Sequence, residues 1–259
     1  MTWIELDLDK SIEENAEAYF EEAKKMKKKK EGAKKAIENF KRKLEELEKK
    51  EEAFKARNSS PKKERKRKWY EKYHWFFSSE GFLVIAGRDS TTNEILIKKH
   101  TEKDDIVLHT DMSGSPFTVI KTEGKKPSEQ TLQEAADFTV SFSNAWKKGL
   151  ASIEVFHVSP EQVTKEPNSG EYLPKGAFVI RGKVNYLLGR INLAIGLLKD
   201  GRAMIAPLSA VEKNCKSVIK IFPGKSKTSE VAKKIQAKLK YDDLDEIIRL
   251  LPSGGVDLK

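Results

Sequence analysis

The 259-residue chain is poor in the residues that staple small proteins together. It has one cysteine, Cys215, so no intramolecular disulfide and no cysteine-based zinc cluster can form. Its four histidines are scattered, and no spacing among them and the acids marks a metal site. No apolar run approaches the ~18 residues that a membrane helix needs, so no membrane partner is expected. The opening MTWIELDLDK is acidic and lacks the basic-then-apolar order of a secretion signal. Proline is missing before Pro61, which leaves the first part of the chain free to run as one helix. Internal repeats are absent too. These absences point to a cytoplasmic protein without disulfides or structural metal.

Charge is abundant. Asp, Glu, Lys and Arg make up 35% of the residues and the net charge is +10. The excess is local: residues 21–68 hold 21 Lys and Arg against 10 Asp and Glu, whereas residues 1–20 carry −5, residues 69–200 carry −1 and residues 201–259 carry +5. A localised basic strip is the electrostatic footprint of a segment that meets phosphate backbones. A solvated lysine/glutamate helix has the same composition, and composition does not choose between them.

Residues 11–57 read as one long helix. Ser11 and Glu14 fit a capping box. Ala33, Ile37, Phe40, Leu44, Leu47 and Phe54 form a thin apolar seam spaced mostly by three or four, which calls for a partner helix in a coiled-coil arm. Asn58–Pro61 is a turn, and Lys62–Lys68 lead a returning helix through Trp69, Tyr70 and Tyr73 into the aromatic cluster Trp75-Phe76-Phe77. The period then changes. Phe82–Ala86, Glu94–Lys99, Asp105–His109 and Phe117–Lys121 read as an antiparallel meander, followed by a helix that opens on a capping box at Thr131 and Glu134 and runs through Trp146 to Gly149. Ser152–Val158 and Ala177–Arg181 read as strands around a long polar loop. In the tail, Leu193–Leu198 and Ala203–Pro207 suit a hairpin across Asp200-Gly201, Ser217–Phe222 a strand, and Thr228–Lys240 and Asp242–Leu251 two helices. The expected class is α+β, a mixed and mainly antiparallel sheet with packed helices, preceded by a long helical coiled-coil arm. The expected units are the arm at 1–68, an α/β domain at 69–190 and a hairpin-and-helix extension at 191–259.

Motifs that invite catalytic readings fall short. Pro223-Gly224-Lys225-Ser226 lacks the glycine that a phosphate loop needs five residues before Gly224, where Ile219 stands; a turn leading into a helix fits better. His109, Asp111 and Ser115 are neighbours in sequence, but a triad is a matter of geometry across the fold, and a polar network ordering a turn is the plainer reading. No paired carboxylates converge, so no enzyme and no cofactor is expected. Arg88, in Gly87-Arg88-Asp89, suits either a charge-paired corner or contact with a phosphate or base. Arg181-Gly182-Lys183 with Asn185 and Tyr186 mixes cations, a hydrogen-bonding side chain and an aromatic, as looped RNA requires.

Taken in order, a set of short motifs resembles the NFACT family of ribosome-associated quality-control proteins. They are Asn15-Ala16 with Tyr19-Phe20, Trp69–Lys72, Trp75–Gly81, Ala86–Asp89 with Asn93-Glu94, Asp105-Ile106, His109 through Gly114-Ser115, Thr131-Leu132 with Glu134-Ala135, Gly170–Leu173, Gly176–Phe178, and Arg181–Lys183 with Asn185-Tyr186. The likeness covers roughly residues 5–190, the end of a coiled-coil region and the domain called NFACT-R. It implies binding to rRNA of an obstructed large ribosomal subunit and to tRNA and, in many members, recruitment of alanyl-tRNA for untemplated extension of the stalled peptide. The amino-terminal NFACT-N domain is expected to be missing, so a separate protein carrying it is an expected partner and tailing is not expected of this chain alone. The residues expected to hold RNA are Lys62, Lys63, Arg65, Lys66, Arg67 and Lys68 in the arm, with Arg88, Lys98, His109, Arg181 and Lys183 in the globular part. The alternative is a coiled-coil scaffold that binds a protein and touches no RNA.

Overall fold

The computed structural model describes residues 4–57, 67–166 and 172–258, with the backbone alone at 49–57. The chain divides into two compact units, residues 1–66 and residues 67–259.

The first unit is built on one helix, α1 (Ile12–Arg57). The capping box forms as expected: Ser11 N donates to the Glu14 carboxylate at 2.8 Å, and Glu14 N donates to Ser11 Oγ at 3.2 Å. The segment before the helix is pinned to its first turns. The buried Asn15 carboxamide accepts from Asp7 N at 2.8 Å and donates to Asp7 O at 2.9 Å, while the Tyr19 hydroxyl donates to Glu5 O. Further along, Ile37, Phe40, Leu44 and Leu47 stand exposed, at 56–71% of their surface. The expected returning limb at Lys62–Lys66 lies outside the described residues.

The second unit opens on a 3-10 turn, Trp69–Lys72, where the sequence suggests a continuing helix. The aromatic cluster is then strand rather than helix end: β1 (His74–Phe77) turns at Gly81 into β2 (Leu83–Ala86). Trp75 and Phe76 are buried, each worth about 1.5–3 kcal/mol or more as side chains removed from water. The segment expected as a strand at Glu94–Lys99 is instead helix α2 (Ser90–His100). Its reason is local. Asp89 accepts from Thr92 N at 2.7 Å, Thr92 Oγ1 accepts from Asp89 N at 2.9 Å, and Lys98 and Lys99 stand in the last turn, where cations favour a helix end.

There follow β3 (Ile106–His109), β4 (Thr118–Lys121), α3 (Glu129–Ser141), the short α4 (Asn144–Lys148) and β5 (Ser152–Val158). The helix expected to open at Thr131 starts a turn earlier, capped by Ser128, and breaks at Phe142-Ser143. Thr131 Oγ1 is engaged elsewhere, donating to the Glu80 carboxylate at 2.6 Å. Within the stretch expected as a polar loop, β6 (Val163–Thr164) forms and pairs with β7 (Val179–Ile180), shorter than the expected Ala177–Arg181, and β8 (Asn185–Arg190) pairs with β5. The main sheet is antiparallel in the order β1-β2-β4-β3-β5-β8, and α3 packs across it, with Phe138 against Phe76 and Thr139 bonded to Thr118.

The tail builds a second antiparallel sheet. The hairpin β9 (Leu193–Leu197) and β10 (Ala203–Ala206) turns at Asp200-Gly201 as the sequence indicates; α5 (Leu208–Asn214), β11 (Ile219–Pro223), α6 (Thr228–Leu239), α7 (Leu244–Leu250) and β12 (Val256–Leu258) complete the order β10-β9-β11-β12. Polar bonds fasten this sheet to the first. Arg202 donates to the Tyr70 hydroxyl at 2.8 Å and pairs with Glu71 at 3.2 Å beneath the Trp75 ring, Asn214 donates to Phe77 O at 2.9 Å, and Trp146 Nε1 donates to Gly255 O at 3.0 Å.

Candidate functional site

Loops and element ends of the second unit enclose a cleft of about 950 Å³. One wall is the corner after β2, Gly87-Arg88-Asp89, with the start of α2. The loop from His109 to Phe117 faces it, His74 and Phe142 contribute rings, Lys175–Phe178 arrive from the long loop, and Thr228 and Ile248–Ser253 come from the second sheet's helices.

A small knot sets the corner. Asn93 Oδ1 accepts from Phe117 N at 3.1 Å, and Gly87 N donates to Phe117 O at 3.0 Å. A Cβ on residue 87 would lie 1.9 Å from Asn93 Oδ1, so only glycine fits there. Gly176 is equally constrained: its φ is +81° and an added Cβ would meet Ser90 Cα at 2.5 Å, which presses the end of the loop onto the start of α2.

Arg88 lies behind this corner. Its Nη1 donates to Arg249 O at 2.6 Å and its Nη2 to Tyr73 O at 3.0 Å, while its buried Nε has no partner. Burial and the neighbouring Arg249 bring its pKa down to about 10, so it stays charged at neutral pH. The guanidinium thus braces α7 against the segment entering β1, and Asp89, which caps α2 and whose carboxyl the Thr92 N–H holds below the usual range, attracts it through space. His109 makes no triad. Its Nδ1 bonds Pro116 O at 2.9 Å, its ring stacks on Phe117 at 4.0 Å and 3°, and burial lowers its pKa. Ser115 is 7% exposed and its Oγ has no partner. His74, which the sequence did not single out, stacks on Phe142 at 3.9 Å; burial, then Arg88, holds its pKa well below 6.5, and its Nδ1 is also buried without a partner.

Of the residues expected to bind RNA, Arg88 and His109 therefore share the cleft. Lys98 lies on α2, paired with Glu94 at 2.7 Å, and that hydrogen bond takes the Glu94 carboxyl down to about 2. Arg181 and Lys183 are exposed after β7, Arg181 Nη2 donating to Glu166 O at 3.3 Å. Arg67 and Lys68 are exposed; Lys62, Lys63, Arg65 and Lys66 lie outside the described residues. Sequence reasoning missed His74, Phe142, Lys175 and Arg249. The available signal was the set of glycine corners at 87, 114 and 176, which only the fold brings around one cavity. Among the described residues no cluster of three or more His, Cys, Asp or Glu could hold a metal, and no helix is long and apolar enough to cross a membrane.

Two family models match this chain: "NFACT protein RNA binding domain" over residues 72–182 and "NFACT N-terminal and middle domains" over residues 1–68. The chain belongs to the NFACT family. The NFACT RNA-binding domain model takes in the Gly87 corner, the His109–Phe117 loop and Lys175–Phe178, whereas Thr228 and Ile248–Ser253 lie beyond it. The expectation that nothing of NFACT-N is present is corrected: the acidic start and α1, read above as arm alone, are covered by the model of the N-terminal and middle domains. Similar relatives include "Archaeal Rqc2 homolog aRqcH" of Methanocaldococcus jannaschii, 47% identical over 204 residues, covering 76% of this chain and 30% of that protein. "Ribosome quality control complex subunit NEMF homolog" of Drosophila melanogaster is 35% identical over 202 residues, covering 76% and 20%. "Ribosome quality control complex subunit NEMF" of Homo sapiens is 36% identical over 178 residues, covering 67% and 16%. The chain thus spans less than a third of the length of these relatives. These relatives are named as ribosome quality control proteins, and the matching model over residues 72–182 is of an RNA-binding domain.

Proposed function

We propose that this chain is an RNA-binding part of ribosome-associated quality control, engaging the large ribosomal subunit and tRNA at stalled translation complexes. The observation that carries the reading is the match of residues 72–182 to a domain described as RNA-binding, whose glycine corners meet at the cleft. The names of the relatives support the setting, since several are subunits or homologues from ribosome quality control. Charge supports the mode of binding: the strip at residues 21–68 carries +11, and Arg67, Lys68, Arg181 and Lys183 are solvent-exposed. Phosphate neutralisation supplies most of the affinity in such an interface and makes it salt-dependent.

Co-sedimentation with purified large subunits, with and without peptidyl-tRNA, tests this directly; enrichment on the obstructed subunits is the expected result. Six phosphate contacts from Lys62, Lys63, Arg65, Lys66, Arg67 and Lys68 give a log–log salt slope of about −4 to −5. Replacing all six by Gln removes that much of the slope. An exposed seam at Ile37, Phe40, Leu44 and Leu47 gives the scaffold reading its one specific support. If the six-Gln chain keeps its RNA affinity while Asp substitutions along the seam abolish capture of a partner protein, the scaffold reading replaces this one.

A further inference from the structure

Among the described residues only four buried side-chain polar atoms lack a hydrogen-bond partner: Tyr73 Oη, His74 Nδ1, Arg88 Nε and Ser115 Oγ. The residues of the last three all line the cleft described above. Buried polar groups are almost always paired, and three exceptions around a single cavity point to a ligand rather than to faulty packing. The cleft's volume of about 950 Å³ lies within the range of sites that enclose small molecules, roughly 300–1,000 Å³.

The three atoms define what kind of ligand fits. Arg88 Nε–H can only donate. Ser115 Oγ can donate and accept. His74, neutral because burial lowers its pKa, offers one nitrogen that does either according to tautomer. A phosphodiester or carboxylate presents acceptors alone and would leave the accepting capacity of the serine and the imidazole idle. The edge of a nucleobase carries donors and acceptors side by side. The walls suit the same ligand, because the His74–Phe142 and His109–Phe117 pairs supply flat rings beside the polar atoms. At the rim stand the exposed cations Lys175 and Arg249. Asp89, also at the rim, is already engaged by Thr92.

We propose that this cleft receives the base of one unpaired RNA nucleotide, with the adjoining phosphate on Lys175 and Arg249. This rests on the RNA-binding reading and gives it a pocket. The polar atoms are buried behind the wall surface, so contact requires their side chains to turn, Ser115 about χ1 first, until the polar atoms reach the cleft.

The test is equilibrium dialysis of the full chain against AMP, GMP, CMP and UMP, against inorganic phosphate, and against a short acidic peptide. Binding of a single-stranded oligoribonucleotide is measured in parallel. At least one monophosphate is expected to bind tenfold or more tighter than phosphate. Ser115→Ala should weaken it about threefold to tenfold, with an unchanged melting curve. Lys175→Ala, at an exposed position, should weaken both the monophosphate and the oligonucleotide, and it keeps the test valid should the serine variant misfold. Equal affinity for phosphate and nucleotide, binding of the peptide alone, or monophosphate binding indifferent to both variants overturns the proposal. If the oligonucleotide binds but no monophosphate does, the pocket fails and the RNA-binding reading stands. If the oligonucleotide does not bind at all, the reading fails and the pocket as an RNA site fails with it.

Discussion

His74 stacks on Phe142 with ring centroids 3.9 Å apart, and burial there, with the Arg88 charge nearby, holds its pKa well below the usual 6.5. A histidine whose folded pKa lies below its unfolded value of 6.5 takes up a proton more readily when the chain unfolds. Its cost to the fold is nil above that value and grows as pH falls from 6.5 toward the folded pKa, by up to about 1.4 kcal/mol per pH unit. Urea denaturation at pH 7.5, 6.0 and 5.0 should therefore show stability lost on the acid side. His74→Phe should flatten part of that loss; His109, His100 and His157, also lowered chiefly by burial, should account for a remaining histidine component. A wild-type curve that is level from 7.5 to 5.0 contradicts this.

The buried pair of Lys121 and Asp105 makes an unequal prediction. Asp105 also accepts from Glu102 N at 2.7 Å and Thr122 N at 3.1 Å, so it keeps two donors when the lysine is lost. Asp105→Ala leaves those two N–H groups without their acceptor and the buried ammonium with only His100 O at 3.1 Å and the exposed Glu102 carboxylate at 3.4 Å, and should cost about 3 kcal/mol. Lys121→Met should cost clearly less, because its chain can fill the same volume. Chemical unfolding of both variants decides; equal losses would show that the two backbone bonds contribute nothing.

Gly176 and Gly124 separate backbone strain from crowding. Both have φ near +80°, at +81° and +77°, but an added Cβ meets Ser90 at the first and nothing within 4 Å at the second. Gly124→Ala should cost about 1–2 kcal/mol, the left-handed penalty alone. Gly176→Ala should exceed it by at least about 1 kcal/mol, with the difference read as a shift in urea midpoint.

Burial pushes the Cys215 thiol up to about 11 from its ordinary 9.0, which lowers its thiolate fraction about a hundredfold at neutral pH. Iodoacetamide labelling at pH 7.5 should be slow in the folded chain and accelerate by one to two orders of magnitude, roughly, once the chain is unfolded in urea. Rapid labelling of the native protein would show an exposed, activated thiol instead.

Much of the fold was legible where local signals agreed. Ser11 and Glu14 announce α1, Asp200-Gly201 marks the β9–β10 hairpin, and the helix expected at Thr228–Lys240 and the strand expected at Ser152–Val158 both form. The error at Glu94–Lys99 came from reading Ile95, Leu96 and Ile97 as strand residues without giving weight to the Asp89 cap six residues before Ile95. The helix start at Thr131 was misplaced because several hydroxyl and acid pairs compete there, and tertiary bonds to Ser78 and Glu80 claim Thr131. The cleft itself was not legible. Its chemistry comes from segments that include Gly87–Ser90, His109–Phe117, Gly176–Phe178 and Ile248–Ser253, each ordinary alone. An unpartnered serine hydroxyl is a property of what surrounds it, which no spacing records.

Glu94 has a second office beyond its pairing with Lys98. One oxygen of its carboxylate lies 3.5 Å from the Lys165 ammonium, before the long loop, and 3.4 Å from Gly176 N, after it. A single acid on α2 thus clasps both ends of the excursion. Because closure entropy rises only with the logarithm of loop length, the stretch between Lys165 and Lys175 can change in length at little cost to the walls, so long as the clasp and Lys175, which lines the cleft, are kept.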